Sequence, residues 1–232
     1  MNAEPASSAP AQFKQRAIAI VRSEGLAGLG RRVVDRLRRR PRQVSSFVVT
    51  WILDRVPAHA AEIDLGIRSI SAADADLSDV ARLWYWAKSK EDLLARLADG
   101  QQCYIAEHQG RIVAGMWVTG NFYEEGHARQ FTLADEDVYV MDGFTLPEFR
   151  GKNVILQLSS YAARDLVERH GKRRAWALID ITNRPSQRAA AKGRRELAGV
   201  TGFIEVLGIR FYYLIGRNAF PKTRKRFYVE RL

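Results

Sequence analysis

From Gly66 onward the apolar positions switch between a period of two and a period near 3.6. Short apolar runs over 67–70, 102–107, 111–119 and 137–144 predict strands, and the turn His108-Gln-Gly110 joins the second and third as a hairpin. Ser71 to Trp86 predicts a helix, because Asp74, Asp76 and Asp79 suit the positive end of a helix dipole. Ser89 begins another, with Asp92 three residues on as in a capping box, and it stops near Gly100. The polar stretch Gly120–Asp135 reads as a loop. A long amphipathic helix follows over 154–170, then a strand over 173–182, a helix over 185–192, and strands near 202–207 and 210–215. Hairpins ahead of a strand–loop–helix unit imply an α+β domain.

The two ends differ from this middle. Residues 1–10 are rich in Ala, Ser and Pro. Over 12–40 Phe13, Ala17, Ile20 and Val21 share a helical face, and so, past the break Gly25–Gly30, do Val33, Val34 and Leu37. Pro41 ends this arm, and 44–56 reads as a connecting strand. The expected organisation is a basic extension over 1–43, a connecting strand and linker over 44–65, a domain over 66–215 and a basic tail over 216–232.

Charge follows the same division. The formal net charge is +11. Residues 1–43 hold ten Lys/Arg against three Asp/Glu, 216–232 hold six against one, and 44–215 are near neutral at 21 against 22. The basicity therefore does not make the domain a nucleic-acid binder. A basic amphipathic arm can lie on an anionic membrane surface, or pack on its own domain or a partner.

One cysteine, Cys103, rules out an intramolecular disulfide and suits a reducing compartment; it reads as a small buried hydrophobe. His59, His108, His127 and His170 are scattered without ligand spacing, so no metal is expected. The N-terminus lacks the charged-then-apolar order of a secretory signal, and no apolar run approaches a membrane span. The expected location is cytoplasmic, with peripheral contact at the inner face of the membrane if the arm binds lipid.

The segment Thr145-Leu-Pro-Glu-Phe-Arg-Gly-Lys-Asn-Val-Ile resembles the acyl-CoA signature of the GNAT (GCN5-related N-acetyltransferase) superfamily. It matches at Pro147, Glu148, Phe149, Arg150, Gly151 and Lys152. It departs at Asn153, where glycine is usual, and at Ile155, where Gly or Ala is usual. Downstream, Asn183 and Ser186 resemble the family's Asn-x-x-Ser/Ala segment. The resemblance implies a mixed, mostly antiparallel central sheet flanked by helices. It also implies acetyl-CoA or another acyl-CoA as donor and a small amine as acceptor, with a homodimer as a further option. By the same resemblance Phe144, Thr145 and Leu146 hold the thioester; Arg150, Gly151, Lys152, Asn153, Val154 and Ile155 hold the phosphates; Asn183 and Ser186 contact the pantetheine or cap a helix.

The physics of the loop agrees. A loop opening a helix presents unpaired N–H groups at the positive end of the dipole, a natural phosphate cradle. Acylating an amine also needs a base. Asp142 is the first candidate, sitting in an otherwise apolar stretch, ahead of Glu136, Asp137 and Asp180. The family's acid tyrosine is matched here by Ala190, so Tyr161, Tyr212 or Tyr213 would have to substitute, Tyr161 first. Three functions stay open at this point: transfer of acetyl to a small amine such as an amino sugar or amino acid, transfer of a long acyl chain from acyl-CoA or a carrier protein as in N-acyl amino acid synthases, and a non-catalytic module that kept the fold.

Overall fold

The computed structural model describes residues 42–231, apart from 75, 85–86, 88, 121–132, 207–208 and 217–226. The basic arm, the loop 121–132 and most of the basic tail therefore lie outside the described residues. The strands are β1 (Arg42–Ile52), β2 (Gly66–Ile70), β3 (Gln102–His108), β4 (Arg111–Thr119), β5 (Asp137–Thr145), β6 (Arg174–Asp180), β7 (Glu196–Val206), β8 (Ile209–Gly216) and β9 (Phe227–Arg231). The helices are α1 (Leu77–Ala81), α2 (Lys90–Ala98), α3 (Val154–His170) and α4 (Arg184–Lys192). The strands form a mixed, mostly antiparallel sheet of order β2-β3-β4-β5-β6-β1-β7-β8-β9. The larger of two compact units, Val44–Phe203 with Tyr212–Tyr228, holds every site residue discussed below; the smaller takes in Ile204–Phe211.

Two expectations are corrected. Residues 44–56 are not a connector outside the domain. β1 lies inside the sheet, antiparallel to β6 from Ser46↔Asp180 to Ile52↔Arg174. Its Thr50 hydroxyl donates to the Ala175 carbonyl at 3.0 Å, and Val48, Val49 and Trp51 are buried. A centrally placed strand is apolar on both faces, which is what Phe47–Leu53 supplies. The helix expected over 71–86 shrinks to Leu77–Ala81. Its early acids are used elsewhere: Asp74 accepts the Ser71 amide, and Arg68 gathers Asp74, Asp76 and Glu107. Side chains that bond nearby backbone compete with the helix.

Elsewhere local chemistry and packing agree. Ser89 and Asp92 form the reciprocal capping box that starts α2. α3 buries Val154, Leu158, Ala162 and Leu166, spaced four apart, against Tyr104, Ala106, Ala114, Met116 and Val138 of β3, β4 and β5. Arg195 stacks 4.2 Å from the Trp51 ring and donates to Ser159, tying β1 to α3, and its burial pushes its pKa down to about 10. On another part of the sheet, Ile70, Leu77, Val80, Leu93, Ile105 and Trp117 bury Cys103, whose thiol burial pushes up and so keeps protonated.

One close approach matters for the site. A Cβ on Gly115 would sit 2.8 Å from the Trp84 ring, so glycine lets that indole approach β4 this closely. Gly115→Ala is expected to destabilise the protein by about 1–3 kcal/mol through overpacking, read as a lower thermal midpoint; an unchanged midpoint would show that the ring moves aside at no cost.

Candidate active site

The central feature is a split between two parallel strands. β5 and β6 pair only at Asp137↔Arg174, Val138↔Ala175 and Tyr139↔Trp176. Beyond that point β5 stays with β4, as far as Ala114↔Thr145, while β6 stays with β1. The closed end is fastened by Trp176 Nε1 donating to Asp137 Oδ2 at 3.0 Å, a bond between two buried side chains. The facing edges of 140–145 and 177–180 thus have no ladder with each other, and backbone polar groups in such a wedge need a partner. An extended ligand carrying amides meets that need in the way an added strand does.

At the mouth of the wedge the loop after β5 turns into α3. Pro147–Phe149 form one 3-10 turn, Gly151 takes φ +84°, and Asn153 takes φ +61° as the N-cap. Both are left-handed conformations that Gly and Asn tolerate better than other residues. The Asn153 carbonyl accepts the amides of Leu156 and Gln157, and the first-turn amides of Val154 and Ile155 have no helical acceptor. Arg150 Nε donates to the Thr145 carbonyl at 3.0 Å and its guanidinium lies 5.7 Å from the Phe144 ring. Lys152 lies 5.4 Å from the Phe149 ring. Neither cation pairs with a carboxylate among the described residues. The Leu146 amide is bonded to the Val113 carbonyl, so it is committed to the sheet. These residues suit the phosphates and amides of coenzyme A.

Ile155 departs from the usual small residue without clashing. Its Cδ1 lies 3.8 Å from where a Cβ on Gly143 would be. Asn153 gains a partner that sequence reasoning missed: Lys192 Nζ, from the last turn of α4, donates to Asn153 Oδ1 at 2.6 Å. Asn183 is the N-cap of α4, accepting the Ser186 amide at 3.1 Å.

Asp142 lies where β5 bulges. The β4 register shifts between Gly115↔Phe144 and Trp117↔Met141, so Asp142 and Gly143 together oppose Met116. Asp142 has φ +50°, strained for a residue with a Cβ. Two side chains hold it there. Trp84 Nε1 donates to its carbonyl at 2.6 Å, and Arg96 Nη1 donates to Oδ2 at 2.6 Å while its guanidinium lies 5.3 Å from the Trp117 ring. The ion pair is partly open to solvent, with side chains 26% and 30% exposed. Nothing in the spacing of Trp84 or Arg96 announces this role, since both come from other elements through the fold.

The other candidates are placed elsewhere. Tyr161 lies in the middle of α3 with its ring 6.3 Å from Tyr104 on β3, two strands from β5. Tyr212 is buried against Phe203, and Tyr213 shares a hydrogen bond with Ser45. Asp137 is bonded to Trp176, and Asp180 accepts from the Thr182 amide and hydroxyl. Ala190, at the matched tyrosine position, is buried. No cluster able to hold a metal ion and no helix long and apolar enough to cross a membrane occurs among the described residues.

The model of the acetyltransferase (GNAT) family matches residues 69–194. The chain belongs to that family. That family is one of acetyltransferases. Solved structures share the fold at low identity. A functionally unknown conserved protein from Staphylococcus epidermidis is 10% identical with a TM-score of 0.52, over 77% of this chain and 66% of that one. A GCN5-related N-acetyltransferase from Sphaerobacter thermophilus is 13% identical with a TM-score of 0.52, over 86% and 60%. A Drosophila protein is 15% identical with a TM-score of 0.51, over 78% and 58%. The chain thus spans less than two thirds of these solved chains. No curated protein matches the sequence.

Because Arg150 stands over Phe144 beside the cradle, Arg150→Ala is expected to weaken coenzyme A binding about tenfold, roughly 1.4 kcal/mol, in calorimetric titration. Equal affinities would remove Arg150 from the donor site.

Proposed function

We propose that the protein transfers an acetyl group from acetyl-CoA to the primary amine of a small molecule of the amino sugar or amino acid kind. The observation that carries this reading is the wedge between β5 and β6 with the α3 cradle at its mouth.

Acetyl-CoA brings the acyl group as an activated thioester. The chain's part is to fix that thioester along 140–145, hold the phosphates over α3 and prepare the amine. Asp142 is the residue assigned to the amine. Its carboxylate stands on a bulge of the open strand, is partly solvent-exposed, and is aimed by Arg96. It draws one proton from the ammonium through water. The amine nitrogen then bonds the carbonyl carbon, the carbon–sulfur bond breaks, and a second nitrogen proton leaves with the sulfur as free thiol. A thiol whose ordinary pKa is about 8.5 departs without a strong acid, so the alanine at position 190 does not prevent the step.

The test is release of free thiol from acetyl-CoA and from a long-chain acyl-CoA over a panel of amino sugars and amino acids, with Asp142→Asn in parallel. The expected result is turnover with acetyl-CoA, favoured over the long-chain donor, and a loss of at least about tenfold in kcat for Asp142→Asn. Preference for the long chain would replace this reading by the long-chain one; a full rate in Asp142→Asn at every pH would take the base role from Asp142.

A further inference from the structure

The chain between β1 and β2 forms a strap across the start of α3. Ala61, Ile63 and Leu65 pack onto the core, while Glu62 and Asp64 between them are exposed. Hydrogen bonds then fix 57–62 to α3 and to the loop before it. Ser160 Oγ shares its proton between the Pro57 and Leu156 carbonyls, each at 2.9 Å, and accepts the His59 amide at 3.2 Å. Gln157 Oε1 accepts the Ala61 amide at 2.8 Å. The Lys152 carbonyl accepts the Glu62 amide at 3.0 Å, and Asn153 Nδ2 donates to Glu62 Oε1 at 3.4 Å. The strap precedes residues 69–194, so it lies outside the segment that the family model matches.

The bond to Lys152 bears on the cradle. In a trans peptide the carbonyl and the following N–H point opposite ways. Holding the Lys152 carbonyl on the strap therefore turns the Asn153 N–H away from it. That N–H has no acceptor among the described residues, and the next two, of Val154 and Ile155, have no helical one. Free N–H groups in a row at a helix start are what an anion binds. The left-handed backbone of Asn153 is costlier than that of a glycine, and its side chain is held from both sides, by Glu62 and by Lys192. A carboxylate beside a phosphate site opposes anion binding by its charge. Here the Glu62 amide and carboxylate are both engaged in holding the cradle.

We propose that Glu62, with the strap 57–62, is a positioning residue for the pyrophosphate of the donor: it sets the Lys152–Asn153 peptide so that the Asn153 N–H joins those of Val154 and Ile155 on one phosphate. The inference rests on the reading of the α3 cradle as the donor site. The hydrogen bonds of the strap run to α3 and the loop before it, so the strap acts on the phosphates and not on the arm that lies in the wedge.

The test uses the full chain and two variants. Gln157→Met/Ser160→Ala removes the anchors of the strap further along α3, and Glu62→Pro removes the amide that holds the Lys152 carbonyl. Affinity is measured for coenzyme A by calorimetry and for pantetheine, the same arm without phosphates, by NMR titration. The expected result is a Kd for coenzyme A raised about fivefold in each variant, with that for pantetheine within about twofold of the wild type. A cooperative thermal transition shows that a variant is folded, and Gln157→Met/Ser160→Ala decides the matter if Glu62→Pro does not fold. An unchanged Kd for coenzyme A in a folded variant, or an equal loss for pantetheine, would overturn the role of the strap while leaving the donor site in place. A wild type that does not bind coenzyme A would overturn the donor-site reading and this inference with it.

Discussion

The rest of the structure depends on a parallel ladder that stops after three residue pairs. β5 is committed to β4 and β6 to β1, and the two pairs of strands meet only at 137–139 and 174–176. The buried Trp176–Asp137 bond fastens the closed end. Past it, two strand edges face each other across a gap in the middle of a sheet, where backbone groups would otherwise be paired. Such a gap is stable only if something extended and amide-bearing fills it or water does. The N-terminus of α3 stands at the open end.

The strained residue at this gap is held from the opposite side. Asp142 keeps φ +50° because Trp84 grips its carbonyl and Arg96 its carboxylate. Trp84 can do so because β4 has a glycine beneath its ring. Strain of this kind persists where surroundings over-determine a conformation. The donor side and the bulge are therefore built by different elements, α3 and α4 for the first, the α1–α2 region for the second.

Much of this was legible in the sequence, and the limits have physical causes. The hairpin, the α2 capping box, α3 and the loop 145–155 are local features, set by period, turn residues and caps. The place of β1 is not local: an apolar run reads the same whether it connects or sits mid-sheet, and only pairing with residues more than a hundred positions away decides it. Of the stretch 71–86 expected as a helix, Leu77–Ala81 are helical, while Asp74 and Asp76 ahead of them pair with Arg68 on β2. At the site the loop residues were recognisable one by one, but their compensations were not. Asn153 is met by Lys192, from an element distant in sequence. The partners of Asp142 were hidden for the same reason.

The claim that the split between β5 and β6 is the donor site is tested most directly by amide hydrogen exchange with and without acetyl-CoA. Slower exchange confined to 140–145 and to the cradle at 151–155, with β3 and the β3–β4 hairpin unchanged, is the predicted result. Unaltered exchange in both segments at saturating acetyl-CoA, or protection that falls elsewhere, would contradict it.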